Sequence, residues 1–274
     1  MKTKRSLFHR FAASPYWIWS AMFIIAPLIV VVYFAFTDTK GAFTFDNIAS
    51  LASYWQTFAM SLSFSLIATT VCLLIGYPLA YCMSRMSERS RNILVVLLML
   101  PMWISLLIRT YSLMTLLDNG GLISTFLQSI GLPKLAFIGT DAAVILGMIY
   151  DFLPYMVLPI YTSLVKIDKR YIEASADLGA NSFTTLRKII FPLTRPGIIS
   201  GITMVFVPSI STFYISQKLG GGSFDLIGDT IERQFQNQVT YHTGAAISLV
   251  MMILILVSLA IMNKFSDSEE DIIV

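Results

Sequence analysis

The chain has 274 residues, of which 56% are hydrophobic and only 13% are charged, and its formal net charge is +3. Its mean hydropathy is +0.73, whereas a soluble chain of this length needs far more polar surface to cover its core. The composition therefore excludes an ordinary water-soluble domain and predicts a protein whose solvent is the lipid bilayer.

The first apolar run, residues 16–36, follows a short basic segment that contains Lys2, Lys4, Arg5 and Arg10. This run is longer than the apolar core of a secretion signal, and no A-x-A cleavage pattern follows it. It is therefore predicted to be a retained first membrane span.

Further apolar runs are long enough to cross the hydrocarbon core of a bilayer as helices. Together they predict an all-α integral membrane protein with six transmembrane helices. The spans are predicted at residues 16–36, 58–83, 92–112, 142–165, 197–215 and 244–262. Because the sequence shows no internal repeat, residues 1–274 are predicted to form a single transmembrane domain.

The basic residues between the spans are distributed unevenly. Of the nineteen Lys and Arg residues, fourteen fall in the segments that share a side with the N-terminus and four fall in the opposite segments. The fourteen are Lys2, Lys4, Arg5, Arg10, Arg85, Arg89, Arg91, Lys166, Lys169, Arg170, Arg187, Lys188, Arg195 and Lys264, and the four are Lys40, Lys134, Lys218 and Arg233. Cytoplasmic loops carry an excess of Lys and Arg, so both termini are predicted in the cytoplasm and the chain in the cell membrane.

Several kinds of chemistry have no support in the sequence. Cys72 and Cys82 lie about 15 Å apart along one predicted helix, too far for a disulfide, and neither they nor His9 and His242 have a partner at metal-ligand spacing. No phosphate-binding G-x4-G-K-[ST] segment is present, and no catalytic set is visible. We therefore expect no catalytic residue, metal site or bound cofactor in this chain, and no nucleic-acid partner.

The cytoplasmic segment 166–195 reads as a helical hairpin rather than a simple connector. Asp168 is a suitable N-cap for a first helix, Gly179 can end it in the left-handed conformation, and Ser182 can cap a second helix that Pro192 stops. Each helix is predicted to have an apolar face. The faces comprise Tyr171, Ala174, Ser175 and Leu178, and then Phe183, Leu186, Ile189 and Ile190.

This hairpin resembles the EAA loop of ABC importer permeases, E-A-A-x3-G-x9-I-x-L-P. Glu173, Ala174, Gly179, Ile189 and Pro192 match it, while Ser175 and Phe191 replace the third small residue and the leucine. The resemblance implies a type I ABC importer permease fold whose coupling helix docks on a separate ATPase subunit. The residues implied in that coupling are Glu173, Ala174, Ser175, Asp177, Gly179, Ile189 and Pro192. The alternative is an ordinary amphipathic connector.

Residues 100–111, 150–161 and 213–221 are similar to segments of the spermidine/putrescine permeases of the PotB type. This resemblance implies a permease subunit of an ATP-driven polyamine importer that forms half of the translocation path. The implied partners are a second homologous permease, an ATPase pair that uses ATP, an extracytoplasmic polyamine-binding protein and membrane lipid. The alternatives are the same role for iron, sulfate or a sugar, or an ion-coupled secondary transporter.

Asp151 is predicted near the middle of the fourth span, where an unpaired carboxylate is costly and is by default a functional candidate. Two interpretations stay open: contact with a polyammonium substrate, or a structural partner within the bundle. Aromatic residues that could offer cation–π faces on the substrate path are Trp103, Tyr111, Tyr150, Phe213 and Tyr214. Arg109, late in the third span, is expected to extend to the outer interface.

Overall fold

The computed structural model describes residues 14–130, 137–237 and 239–267. The predictions that rest on Lys2, Lys4, Arg5, Arg10 and Lys134 lie outside the described residues. Within the described residues, five helices are long and apolar enough to cross a membrane, or six if one bent pair of helices counts as a span. The protein is therefore an α-helical membrane protein, as the apolar runs predict.

The chain divides into two compact units. The first unit comprises Met1–Trp55 and Thr230–Leu254, and the second comprises Gln56–Asp229 and Ile255–Val274. The described part of the first unit starts with α1 (Ser14–Ser20), a π-helical turn (Ala21–Ile25) and α2 (Ala26–Ala35). These elements follow one another without a break, and only 6% of their most apolar window is buried within the chain. Such a helix suits contact with lipid.

The end of α2 is held by a short helical connection, α3 (Asp46–Ala49) and a 3₁₀ turn (Ser50–Tyr54). Asn47 Nδ2 donates to the carbonyl oxygens of Ala35 at 3.2 Å and Thr37 at 2.9 Å. These bonds satisfy carbonyl groups that a helix end leaves free. The core of this unit combines small and larger apolar side chains: Ala35, Ala245, Ala246 and Leu249, with Phe34, Phe36 and Phe235 packed against them.

The second unit continues with α4 (Trp55–Arg85), α5 (Glu88–Trp103), α6 (Leu106–Leu117) and α7 (Leu122–Ser129). The third span predicted over 92–112 is a bent pair of helices, because the chain turns by 96° between α5 and the helix that follows. Ile104 and Ser105 have extended ψ angles of 137°, and Pro101 supplies no N–H to the preceding turn. The break frees α6 to lie at its own angle.

The centre of the second unit is α8 (Asp141–Val165), of which 56% of the most apolar window is buried. It begins at Thr140, whose side chain accepts a hydrogen bond from the Ala143 N–H. Met148, Met156, Val157 and Ile160 are fully buried along it. With more than half of its most apolar window buried against other helices of this unit, α8 lies in the interior of the bundle.

After α8 come α9 (Lys169–Asp177), α10 (Ser182–Thr185), a π-helical turn (Leu186–Ile190) and α11 (Phe191–Ser211). The prediction that Pro192 stops the second hairpin helix is wrong, because the chain is helical without interruption over Ser182–Ser211. The Phe191 N–H bonds to the Leu186 carbonyl, five residues back. The wider π-helical turn Leu186–Ile190 directly precedes Pro192, which has no N–H to donate, and the helical run continues through the proline.

The close packing of α11 on α8 depends on two glycines spaced four residues apart. A Cβ on Gly201 would lie 2.8 Å from the Met156 Sδ, and one on Gly197 would lie 2.6 Å from the Pro159 carbonyl oxygen. Only glycine permits this approach of the two backbones, as small residues do between membrane helices generally.

The predicted fifth span, 197–215, ends earlier than expected. Helix α11 stops at Ser211, the backbone of Thr212 is extended, and α12 (Tyr214–Leu219) begins after Phe213. Two further helices follow within the described residues, α13 (Ile227–Gln236) and α14 (Tyr241–Asp267), and α14 contains the predicted sixth span. The short helix α12 packs against α6 and α8, and this packing places it beside the candidate site.

Candidate functional site

The hairpin of α9 and α10 is built from local signals in the sequence. The Asp168 carboxylate accepts a hydrogen bond from the Arg170 N–H at 3.0 Å, which confirms Asp168 as the cap of α9. Gly179 adopts φ of +77°, a left-handed conformation that favours glycine and reverses the chain. The second cap is Asn181, whose Oδ1 accepts from the Thr184 N–H at 2.8 Å, and not Ser182 as predicted.

The two hairpin helices are tied together by a pair of buried hydroxyl groups. Ser175 Oγ and Thr185 Oγ1 lie 2.8 Å apart, and the two residues are 5% and 7% exposed. Thr185 Oγ1 also donates toward the Asn181 carbonyl at 3.2 Å. Ser175 therefore does more than fill the place of a small residue, because its hydroxyl links α9 to α10.

The outer surface of the hairpin carries large apolar side chains. Leu178 is 88% exposed, Phe183 is 69% exposed and Tyr171 is 58% exposed. Of the predicted coupling residues, those at the surface are Glu173, Ala174, Asp177 and Gly179, whereas Ser175 is buried and Ile189 and Pro192 are half-buried. We call the group Tyr171, Leu178 and Phe183 the hairpin tip. These exposed apolar side chains make the hairpin tip a candidate interaction surface.

Arg109 and Asp151 form an ion pair inside the second unit. Arg109 Nη1 lies 3.3 Å from Asp151 Oδ1, and the two side chains are 6% and 0% exposed. The same Nη1 donates to the Asp151 backbone carbonyl at 3.2 Å, and Thr110 Oγ1 donates to Asp151 Oδ2 at 3.3 Å. The expectation that Arg109 extends to the outer interface is therefore wrong. Of the two interpretations of Asp151, this geometry favours the structural one.

This ion pair fixes the rotation of α6 about its own axis. The buried or half-buried side of α6 comprises Leu106, Arg109, Thr110, Leu113 and Leu117, and its opposite side comprises Ile108, Tyr111, Ser112 and Thr115. Both sets follow the i, i+3, i+4, i+7 spacing of a helix face. Tyr111 is two residues beyond Arg109, about 200° around the helix, so anchoring Arg109 to Asp151 turns Tyr111 outward.

A groove of about 300 Å³ runs along the outward side of α6 and is completed by α12. It is lined by Leu107, Ile108, Tyr111, Ser112, Thr115 and Tyr214. Lys218 Nζ lies 5.4 Å from the centroid of the Tyr111 ring and 5.7 Å from that of Tyr214. Both distances are within the range of a cation–π contact. The groove therefore has the chemistry of a site for an organic cation.

The structure brings together two of the predicted aromatic residues of the substrate path and leaves the others apart. Tyr111 and Tyr214 face one groove, whereas Trp103, Tyr150 and Phe213 are exposed at 73%, 44% and 41% and are outside its lining. The sequence reasoning did not single out Lys218. Its spacing of four residues from Tyr214 is the signal that indicates their contact, once residues 214–219 are recognised as a helix.

The chain matches a known protein family and is similar in sequence to named relatives. The family described as "Binding-protein-dependent transport system inner membrane component" matches residues 72–269. The spermidine/putrescine transport system permease protein PotB of Haemophilus influenzae is 35% identical over 264 residues, which cover 93% of this chain and 92% of that protein. PotB of Escherichia coli strain K12 is 37% identical over 245 residues, which cover 86% of this chain and 89% of that protein.

Among solved structures, this chain is similar to a chain of a bacterial ABC transporter involved in the import of the acidic polysaccharide alginate. The two share 20% sequence identity with a TM-score of 0.79, and the match covers 97% of this chain and 96% of that chain. At this identity the likeness shows a shared fold and leaves the transported solute open.

Proposed function

The chain belongs to the family of binding-protein-dependent transport system inner membrane components, and from this premise we propose that it is the permease subunit of an ATP-driven importer of spermidine and putrescine. Its fold is the type I ABC importer permease fold that the hairpin motif predicts. The observation that carries the proposed substrate is the 35% identity to a spermidine/putrescine permease over 93% of this chain.

In this proposal the chain binds no nucleotide, and a separate pair of ATPase subunits uses the ATP. The hairpin tip supports the coupling role, because Leu178 and Phe183 present an apolar surface that a groove on another subunit would bury. Glu173, Asp177 and Gly179 lie at the exposed surface of the same hairpin. Movement of the ATPase would pass through this contact into α11, because the helical run Ser182–Ser211 joins the hairpin directly to a membrane span.

The remaining partners follow from the same architecture. One such chain supplies half of a translocation path, so a second homologous permease supplies the other half, and an extracytoplasmic polyamine-binding protein delivers the substrate. Both termini are placed in the cytoplasm, which sets the hairpin on the side where ATP is available. The excess of Lys and Arg in the segments on that side supports this orientation.

During transport the permease must guide a flexible cation and bind it only weakly. Aromatic faces suit this task because a cation–π contact attracts an ammonium group and yet contributes only about 0.5–1 kcal/mol where the ring is partly exposed. Tyr111 and Tyr214 offer such faces beside α6. The buried pair of Arg109 and Asp151 holds that helix in place, while nucleotide-driven motion exposes the path to each side of the membrane in turn.

The direct test is uptake of radiolabelled spermidine and putrescine by cells that carry the intact transporter and by cells from which this chain has been deleted. We expect uptake of both amines to fall on deletion and to be restored by the wild-type chain. If amine uptake is unchanged while uptake of iron, sulfate or a sugar falls, the proposed substrate is wrong. Purification of the complex in mild detergent should recover an ATPase, which an ion-coupled secondary transporter would not bind.

A further inference from the structure

A cationic group of the protein itself, the Lys218 ammonium, lies over the two aromatic rings that line the groove between α6 and α12. The Lys218 side chain is half-buried, and its ammonium lies over the rings of Tyr111 and Tyr214 at 5.4 Å and 5.7 Å. A lysine side chain is a primary ammonium on four methylene groups. This is the same chemistry as one end of an aliphatic diamine with four carbons.

We propose that Tyr111 and Tyr214 form a subsite for one primary ammonium group of an aliphatic amine, and that Lys218 occupies this subsite until the substrate displaces it. The inference rests on the proposed function, which it deepens by assigning a substrate subsite and a residue that competes for it. Two ammonium groups cannot share one pair of rings, because their like charges repel at this distance. Lys218 would therefore lower the affinity of the subsite for the amine and shorten the time for which the amine stays bound.

The polar groups of the groove favour a donor of hydrogen bonds. Ser112 Oγ donates its proton to the Ile108 carbonyl at 2.8 Å, and Thr115 Oγ1 donates to the Tyr111 carbonyl at 2.9 Å. Each hydroxyl thus has its proton engaged within α6, and the oxygen lone pairs remain as acceptors. Acceptors suit the N–H groups of an ammonium and reject an anion. The side chains of Leu107 and Ile108 supply an apolar wall for methylene groups.

The subsite also has a fixed frame. The ion pair of Arg109 with Asp151 sets the rotation of α6, and α12 packs against both α6 and α8. The two helices that carry Tyr111 and Tyr214 therefore both pack against α8. A pair of rings held in this way can receive an ammonium group without first being ordered.

The test uses the complete transporter in proteoliposomes and measures initial uptake of labelled putrescine over a range of concentrations. Lys218→Met should lower the apparent KM about two- to fivefold, which is the factor that corresponds to one partly exposed cation–π contact. Tyr111→Leu and Tyr214→Leu should each raise it by a similar factor. In the double variant Tyr111→Leu with Tyr214→Leu, adding Lys218→Met should not lower the KM.

This last combination separates occupation of the rings from simple charge repulsion. If Lys218 only repels the substrate, Lys218→Met lowers the KM whether or not the rings are present, and the proposal is overturned. Lys218→Arg keeps a cation near the rings and should show less gain than Lys218→Met. The matched control is Lys40→Met, which removes another lysine predicted on the same side of the membrane and should leave the KM unchanged.

A second readout does not depend on which solute is transported. In a chain with Cys82→Ala, a cysteine placed at Ser112 would be modified with an aminoethyl thiosulfonate and with a neutral reagent of similar size. The ratio of the two rates should rise with Lys218→Met and fall with Tyr111→Leu. If neither substitution changes the ratio of the two modification rates, the proposed subsite is wrong even if putrescine is imported. A ratio that responds, in a transporter that imports no polyamine, upholds the subsite and overturns the proposed substrate.

Discussion

The buried pair of Arg109 and Asp151 allows the role of an acidic residue within the membrane to be decided by substitution. Asp151→Asn removes the carboxylate charge and leaves the Arg109 guanidinium, 6% exposed, without a counter-ion. Breaking a buried ion pair on one side costs about 3–5 kcal/mol. Each 1.4 kcal/mol is about a factor of ten in an equilibrium constant, so the folding equilibrium constant of Asp151→Asn and of Arg109→Met should fall by more than a hundredfold.

Replacing both partners should cost much less than the two single changes together. The double variant Arg109→Met with Asp151→Leu leaves no buried charge, and such apolar replacements are often neutral. The assay is the apparent melting temperature of the fluorescently tagged chain in detergent, followed by putrescine uptake per assembled transporter. Asp141→Asn is the matched control, because Asp141 is an exposed acid at the start of the same helix and should be tolerated.

Two results would refute this reasoning. If Asp151→Asn melts like the wild type while the KM for putrescine rises, the carboxylate contacts the substrate and its structural role is wrong. If the double variant folds normally but transports nothing, the charge at position 151 is required for transport rather than for the position of α6. Recovery of both stability and uptake in the double variant is the result that the structure predicts.

The hairpin yields three further predictions. Glu173→Arg should abolish uptake while the chain still inserts in the membrane, because it reverses a charge at the proposed docking surface; normal uptake by this variant would contradict the proposed coupling role. Ser175→Ala should cost about 1 kcal/mol and speed amide hydrogen exchange in α9 and α10, while the Thr185 hydroxyl retains its bond to the Asn181 carbonyl; unchanged exchange would mean that the hydroxyl pair contributes nothing. Gly179→Ala should cost about 1–2 kcal/mol, since φ is +77° and no atom lies within 4 Å of the added methyl group. Gly179→Asn should melt at a higher temperature than Gly179→Ala, and the reverse order would argue against a conformational cause.

Much of the fold is encoded locally and is readable from the sequence. The apolar runs give the positions of the spans, because crossing a bilayer requires a set length of apolar helix. The first hairpin cap and its turn are also local, since Asp168 bonds two residues ahead and Gly179 supplies a left-handed turn. Asn181 and Ser182 are neighbours with nearly equal preference for the cap position. Propensity alone therefore does not distinguish Ser182 from Asn181, and the observed cap is one residue before the predicted one.

The features that escaped prediction depend on contacts between distant parts of the chain. Arg109 and Asp151 are 42 residues apart, and only the break after α5 lets α6 turn its arginine toward α8. Treated as part of a straight span, Arg109 had no visible partner and was assigned to the interface. In the same way, Tyr111 and Lys218 meet because α12 packs against α6, a contact that no local pattern indicates.

The hairpin of α9 and α10 is proposed to dock on an ATPase subunit. The most direct measurement is photocrosslinking from benzoylphenylalanine placed at Leu178, which is 88% exposed at the hairpin tip, in the assembled transporter in native membranes. Leu122, 73% exposed and predicted on the opposite side of the membrane, serves as the comparison position. We predict a crosslink to the ATPase from position 178 and none from position 122. Absence of the ATPase adduct at 178, or its appearance at 122, would contradict the account.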